Sequence, residues 1–324
     1  MPLRPVTDGA EFAKYILTMK RILSLLIGIS VLTACLAQKV QLELNLTKGE
    51  TYTQLMTTTV TTLQTVNGQD ITMKMSATGK MTYKVTDIRD AVYDMEVNYE
   101  RLTMKMSLPN GDMEFSSEKT DKTDVFSGLL GAMLNKPFSI EMSKTGKVNK
   151  VKNIDAVFSA MFDNYPHLSD AEKKALEGML MQTYGEKALK GNIELCSAIF
   201  ADSPVAKGDK WTVTTQLESG MPATVESVYE LKEISDSYYQ LVGNSTIETA
   251  DKDAYVETNG MPVRYDLAGT MTSDITIDSK SRWITHALIT QSTKGMAHVK
   301  GSPQQPEGMS MSMVTNTQMV ITDK

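Results

Sequence analysis

Methionine is the residue whose type and spacing bear most directly on chemistry here, with 23 Met among 324 residues. Within residues 71–85, and again beyond Tyr93, Met and other apolar residues occupy every second position. The Met side chain is flexible and polarisable, so it adapts its shape to an apolar neighbour. A strand face built from such side chains suits a lipid or another hydrophobic ligand. The predicted ligand-binding residues are Met73, Met75, Met81, Tyr83, Met95, Met104 and Met106.

Residues that commonly perform catalysis are scattered along the chain. The three histidines, His167, His286 and His298, lie far apart, and the sequence contains no G-x-S-x-G, H-E-x-x-H or glycine-rich phosphate motif. Asp90 and Asp236 recur in related segments, but an acid in a turn typically bonds its own backbone. The sequence therefore predicts no catalytic residue, no metal ligand and no cofactor, and we expect a protein that is not an enzyme.

The net charge limits the kinds of partner that the chain is expected to bind, and the cysteine content limits its disulfides. The net charge is −6 and there is no basic block, so nucleic acid is not an expected partner. The two cysteines are Cys35 and Cys196. If Cys35 is removed or modified during export, Cys196 has no partner for an internal disulfide, and the fold must depend on packing.

The beginning of the chain resembles an export signal. Lys20 and Arg21 precede an apolar run over residues 22–33, which is too short for a typical membrane span. A lipobox-like sequence ends at Cys35, whose lipidation would tether an outer-membrane or periplasmic lipoprotein. Cleavage after Ala37 would instead leave a soluble periplasmic or secreted protein, and a retained anchor is the third alternative. We interpret residues 1–18 as an over-extended start and residues 19–37 as the signal peptide.

Three pairs of similar segments indicate an internal repeat. Residues 48–53 resemble 207–212, residues 83–95 resemble 229–241, and residues 140–148 resemble 275–283, in the same order in both halves. The predicted organisation is a first β-unit over residues 38–152, a helical connection over 153–202, and a second β-unit over 203–324.

Local patterns predict the elements that position these residues. Alternation of apolar and polar residues is typical of strands with one dry and one wet face. Its phase changes near Glu100 and Arg101, which predicts a β-bulge. Helices are predicted over residues 124–134, 154–163 and 169–200, the last opening with a capping box at Ser169 and breaking at Gly185. The fold class is thus mainly β (α+β), with two related antiparallel β-units, barrel-like or built from curved sheets, and a helical insertion between them.

Two segments of the mature chain carry a family resemblance. Residues 40–52 and 205–211, each containing a Lys-Gly-acid turn before an aromatic residue, resemble uncharacterised secreted or lipoprotein-type envelope proteins of Bacteroidetes. That family is defined as a domain of unknown function. The resemblance implies an envelope location, and it supplies no catalytic residue, cofactor or substrate.

Two functional hypotheses follow. In the first, a non-enzymatic envelope protein binds a hydrophobic ligand or lipid in a Met-lined β cavity. In the second, a structural or interaction lipoprotein of an envelope complex has a filled core in which Met is ordinary packing. Protein partners are not specified by the sequence under either hypothesis.

Overall fold

The computed structural model describes residues 39–324, apart from residues 67, 110, 122, 160, 163–164, 219–220, 259 and 302–305. The predicted over-extended start, the signal peptide and Cys35 lie outside these described residues. Val40–Lys324 group together as one unit.

The described residues contain one antiparallel sheet of thirteen strands. Its hydrogen-bonded order is β6-β5-β3-β2-β1-β13-β12-β11-β9-β8-β7, while β4 pairs with β3 and β10 with β11. The strands are β1 (Thr51–Val66), β2 (Gln69–Arg89), β3 (Val92–Leu108), β4 (Gly111–Ser116), β5 (Phe138–Ser143), β6 (Val148–Lys152), β7 (Lys210–Leu217), β8 (Ala223–Ile234), β9 (Tyr238–Thr249), β10 (Val256–Thr258), β11 (Met261–Asp278), β12 (Ile284–Val299) and β13 (Met309–Thr322).

The sheet is continuous but does not close. β1 pairs with β13 along eleven residue partners, from Leu55 opposite Thr322 to Thr65 opposite Ser312, so the two halves of the chain share one sheet. β6 and β7 stand at its two ends, and no ladder between them is present in the described part of the chain. The mainly β fold class is confirmed, in the form of one large antiparallel sheet that is not closed into a barrel.

The two halves contain matching irregularities. The register shifts between Val85 and Asp87 in the β2–β3 pair, and between Leu231 and Glu233 in the β8–β9 pair. It also shifts after Glu141 in β5 and after Thr276 in β11. Each pair of shifts falls at positions that the sequence repeat aligns with each other, so the aligned segments have the same local geometry.

The Lys-Gly-acid turns of the two halves also match. Gly49 and Gly208 have φ angles of 88° and 90°, which favour glycine. The Gly49 N–H donates to Val85 O at 2.8 Å, and the Gly208 N–H donates to Leu231 O at 2.7 Å. Each turn therefore starts its strand by bonding to the corresponding bulge on the neighbouring strand.

The third aligned pair needs a one-residue correction. Ser143 N–H bonds Lys147 O at 2.8 Å, whereas Asp278 N–H bonds Trp283 O at 2.9 Å, one residue further along. Because the second turn is longer, the counterpart of Val148 at the start of β6 is Ile284, not Trp283.

Four helices lie in the described part of the chain: α1 (Val125–Met133), α2 (Ile154–Ser159), α3 (Asp170–Tyr184) and α4 (Glu186–Ser197). The predicted capping box is confirmed, because Ser169 N–H donates to Glu172 Oε2 at 2.9 Å and Glu172 N–H donates to Ser169 Oγ at 3.4 Å. Gly185 separates α3 from α4, as its position in the sequence predicts. None of these helices is long and apolar enough to cross a lipid bilayer.

The sheet has an inner face, which carries Met81, Tyr83 and Leu102, and a largely polar outer face. The predicted bulge is confirmed, since the register passes from Lys80 opposite Arg101 to Met81 opposite Tyr99 and skips one residue. The bulge keeps Tyr99 and Leu102 on the inner face although they are three residues apart.

Helices and the first described residues cover one end of the inner face, here called the covered end. Leu42, Leu44 and Leu46 alternate with other residues as in a strand, and they are buried there. Their segment nevertheless belongs to none of the strands of the sheet. The N–H groups of Leu44 and Asn45 donate instead to Lys144 O and Ser281 O, at 2.8 and 2.9 Å.

Helix α4 fills the gap between the two edge strands at the covered end. It packs against both β6 and β7. Glu194 Oε1 accepts from the N–H of Val148, on edge strand β6, at 2.8 Å. Just beyond the helix, Ile199 O accepts from Trp211 Nε1 at 2.9 Å. The helix thus covers edges that would otherwise present unpaired backbone groups.

Candidate ligand cavity

A cavity of about 240 Å³ lies between the inner face of the sheet and helices α3 and α4. β1, β2, β3 and β13 form its floor, and the two helices form its roof. Its lining residues are Gln54, Met56, Thr58, Met75, Ala77, Thr78, Gly79, Met81, Tyr83, Tyr99, Leu102, Thr183, Tyr184, Leu189, Asn192, Ile193, Cys196 and Met319.

Three of the seven predicted ligand-binding residues line this cavity, namely Met75, Met81 and Tyr83. The other four are not among its lining residues. Met95 is 1% exposed and packs in the core opposite Val85 and Ile140. The remaining three lie on the inner face but beyond the helices, where they are half-exposed: Met73, Met104 and Met106.

Small side chains on β2 create the space. Gly79 lies opposite Met56 and Leu102 on the inner face. A Cβ atom at Gly79 would lie 3.6 Å from Leu102 Cδ2, an ordinary contact distance, so the position is not crowded. Ala77 is the next inner-face residue on the same strand. Two small residues in succession beneath the helices therefore leave a depression in the floor.

The wall of the cavity contains an unpaired polar atom. Tyr99 is 2% exposed, and its hydroxyl is buried without a hydrogen-bond partner. The ring is held by Phe138 and Tyr184, at centroid distances of 5.7 and 5.9 Å. Burial, reinforced by Tyr184 and Tyr83, raises the pKa of Tyr99 well above its usual value, so the phenol keeps its proton. A buried, protonated hydroxyl is a donor that lacks an acceptor.

Sulfur atoms accept from two other polar groups of the cavity lining. Tyr83 O–H donates to Met81 Sδ at 3.8 Å, and Cys196 S–H donates to Met319 Sδ at 3.6 Å. Burial raises the pKa of the Cys196 thiol to about 12 and that of Tyr184 to about 12. Because their pKa values are raised, the Cys196 thiol and the Tyr184 phenol both remain neutral at physiological pH.

The lining as a whole carries no net charge. It contains no Asp, Glu, Lys, Arg or His, and its thiol and phenols keep their protons. Placing an ion in such an apolar site without a counter-ion is costly. The geometry therefore accommodates an uncharged molecule with a hydrogen-bond acceptor that can reach Tyr99.

Sequence reasoning missed most of the roof. Leu189, Ile193 and Cys196 recur at spacings of four and three residues within α4, which is a helical pattern. Nothing in that spacing shows which strands the helices cover. The alternation beyond Tyr93 places Tyr99 in phase with the apolar face, but its missing acceptor is visible only in three dimensions.

No metal-binding cluster of His, Cys, Asp or Glu is present among residues 39–324 as described. The three histidines do not meet. His298 Nδ1 contacts Ser310 Oγ at 2.7 Å on the outer face, and the ring of His167 lies 6.0 Å from that of Tyr165.

A family model matches residues 90–284, well over half of the chain; its description is a family of unknown function (DUF6263). The matched region includes Tyr99 and the whole helical roof of the cavity. The comparison with curated proteins found no match.

Solved structures show distant likenesses. A structure of lipovitellin is 10% identical in sequence. The match covers 86% of this chain and 25% of the lipovitellin chain, with a TM-score of 0.46. An outer membrane channel from Pseudomonas putida F1 is 8% identical, with coverages of 86% and 97% and a TM-score of 0.25. The β domain of the Bordetella autotransporter BrkA is 7% identical, with coverages of 84% and 100% and a TM-score of 0.21. The chain spans only a quarter of lipovitellin, and similarity at this level does not establish a shared function.

Proposed function

We propose that this chain, which belongs to the DUF6263 family, holds one uncharged hydrophobic molecule in the cavity between sheet and helices. The observation that carries the proposal is the hydroxyl of Tyr99, which is buried in the cavity wall with no acceptor. A buried polar group without a partner costs about 1–3 kcal/mol. A bound molecule with a carbonyl, ester or hydroxyl oxygen would remove that cost.

The size of the cavity limits the ligand. A cavity of about 150 Å³ holds one benzene ring, and this cavity measures about 240 Å³. It therefore accepts a compact apolar molecule, or the end of a lipid chain whose remainder leaves through the partly exposed side at Thr58, Met75 and Ala77. The flexible side chains of Met56, Met75, Met81 and Met319 allow the walls to adapt.

The cavity favours this proposal over a structural role with a filled core. A filled core would place side chains where the depression at Gly79 lies. It would also leave no reason to keep a phenol hydroxyl at Tyr99, because phenylalanine would pack there without an unpaired donor.

The proposal places this activity in the cell envelope, as a non-enzymatic binding role. Its support is the export-signal pattern over residues 19–37, with lipidation at Cys35 or cleavage after Ala37 as the alternatives. Mass spectrometry of the mature N-terminus distinguishes a diacylated Cys35 from an unmodified Gln38.

The ligand chemistry is tested with indanone and indane, two molecules of similar shape of which only indanone has a carbonyl oxygen. We expect both to bind the purified protein at one site, and indanone to bind up to about tenfold more tightly, because one hydrogen bond contributes about 0.5–1.5 kcal/mol. Tyr99→Phe should abolish the preference and preserve indane binding. Without ligand, the same variant should unfold at equal or higher urea concentration. Titration calorimetry and urea unfolding measure these effects.

A second variant tests the location. Gly79→Val places a branched side chain in the depression and should abolish binding of both molecules. Thr82→Val is the matched control, since Thr82 lies on the outer face of the same strand, and it should bind both normally. Failure of the wild type to bind either molecule would refute the proposal, as would an indanone preference that survives in Tyr99→Phe.

A further inference from the structure

Three methionines on neighbouring strands form a continuous row that begins at Met75 in the cavity wall and continues away from the cavity. Met75 of β2 is the direct partner of Met106 of β3, which in turn is the partner of Met113 of β4. Directly opposed Cβ atoms in antiparallel strands lie about 4.5–5.5 Å apart, and each thioether sulfur is two bonds further out. These three residues, the methionine row, therefore lie in line across three strands, so that their flexible side chains can bring the three sulfur atoms together. Met73 and Met104 lie beside the row on the same face.

The row is accessible to solvent and is not core packing. Met113 is 41% exposed, and Met75 and Met106 are half-exposed. Among the described residues, neither the buried cluster of the covered end nor that of β11–β12 contains a residue of the row. No residue of the row is among the partly buried residues packed against either cluster. By contrast, Met311 and Met313 on β13 pack against the second cluster.

The donor set around the row is entirely soft. The charged residues next to it in sequence alternate to the outer face, where Lys105 Nζ pairs with Glu114 Oε1 at 3.2 Å. On the inner face, Met106 is flanked along its strand by Met104 and Leu108. Among the described residues of β2, β3 and β4 around the row, the inner face therefore offers neither a carboxylate for a hard cation such as Mg²⁺ nor an ammonium group that would repel a bound cation.

We propose that the methionine row is a Cu(I) site, with the sulfur atoms of Met75, Met106 and Met113 as its ligands. Soft thioether ligands select Cu(I) over harder divalent ions. Three neutral donors leave the ion its positive charge, which the half-exposed position keeps in contact with water. The site is distinct from the hydrophobic-ligand cavity, although Met75 borders both.

The test uses Cu(I) itself, supplied anaerobically as its bicinchoninate complex to the purified protein. We expect the wild type to remove one Cu(I) per chain from the chelator. The triple variant Met75→Leu, Met106→Leu, Met113→Leu should reduce the affinity at least tenfold, since leucine preserves volume but has no sulfur. The matched control is Met309→Leu, Met311→Leu, Met313→Leu, which removes three alternating methionines from one strand of the same face. It should change the affinity less than twofold.

Spectroscopy and two further variants test the ligands and the location of the copper site. X-ray absorption of the copper complex should show sulfur ligands, and Ag(I) should shift the methyl NMR signals of the three row methionines in the wild type even if the triple variant fails to fold. Cys196→Ala should bind Cu(I) normally, as should Gly79→Val, which separates this site from the cavity. No transfer from the chelator, nitrogen or oxygen ligation, or an equal loss in the control triple would overturn the proposal.

Discussion

Burial of single ionisable side chains contributes to how this protein responds to alkaline pH. Cys196 is 4% exposed, and burial raises its pKa from 9.0 to about 12. The pKa of Tyr184 and that of Tyr229 are likewise raised by burial to about 12. In each case the neutral form is favoured in the folded chain, so the folded state retains protons that the unfolded state releases.

These raised pKa values lower the stability of the folded chain at alkaline pH. Below pH 9 both states hold the Cys196 proton and its contribution to stability is complete. Between pH 9 and pH 12 only the unfolded chain loses it, so the free energy of unfolding falls, by at most about 1.4 kcal/mol per pH unit for one group. We predict that Cys196→Ala moves the onset of alkaline destabilisation from about pH 9 to about pH 10, where the tyrosines begin to act. Urea unfolding at pH 7, 9 and 10 checks this, and equal slopes for both proteins between pH 9 and 10 would contradict it.

At the scale of elements, turns and caps are where local sequence determines structure most directly. The Lys-Gly-acid turns before β1 and β7 have the same φ angle and the same cross-strand hydrogen bond. The acid of each turn accepts a second hydrogen bond from the same neighbouring residue. Val85 N–H donates to Glu50 O at 3.0 Å, and Leu231 N–H donates to Asp209 O at 3.2 Å. The likeness of the two halves thus extends from residue type to backbone bonding, while their descent from one duplicated unit stays a prediction.

Alanine substitutions at three glycines measure the cost of backbone conformation without the cost of a steric clash. An added Cβ at Gly49 or Gly208 meets nothing within 4 Å, so the cost is that of the left-handed backbone alone. We predict that Gly49→Ala and Gly208→Ala each lower the free energy of unfolding by about 1–2 kcal/mol. Gly178→Ala, in the open on α3, should raise it by about 1 kcal/mol because alanine favours a helix. Chemical denaturation of the three variants measures the signs, and a neutral result at both turns would contradict the turn assignment.

At the scale of the whole molecule, both halves depend on shared contacts. The β1–β13 ladder joins them, and Trp283 Nε1 donates to Thr53 O at 3.0 Å across that junction. The ring of Trp283 also lies 5.2 Å from Tyr52 and 5.3 Å from Tyr83. Helix α4 connects the opposite edges. Because the β1–β13 ladder and helix α4 both join the two halves, we expect the chain to unfold as one unit.

Cooperative unfolding can be tested across the molecule. Met142 is 1% exposed in β5, and Met142→Ala should cost about 2–5 kcal/mol by creating a cavity. We predict that this change in the first half shifts the unfolding of the second half, reported by the fluorescence of Trp211 and Trp283, as much as it shifts circular dichroism. A single calorimetric transition is the matching expectation. Two transitions, or a fluorescence midpoint unaffected by Met142→Ala, would show that the halves unfold separately.

The sequence by itself determined the features that depend on near neighbours. Alternation placed Met73, Met75, Met81 and Tyr83 on one sheet face, because side chains of a strand point to opposite sides in turn. The phase change predicted the bulge at Glu100, and Ser169 with Glu172 predicted the start of α3, since both rules act within a few residues.

Only the tertiary structure decided what that face encloses. Cys196 meets Met319 across 123 residues of sequence, and Tyr99 meets Tyr184 through the packing of α3 on β3. Such contacts depend on how far the sheet curves and where the helices lie across it, and no short-range spacing encodes either. For that reason four of the seven predicted residues lie outside the cavity, and its unpaired hydroxyl could not be recognised before the fold was known.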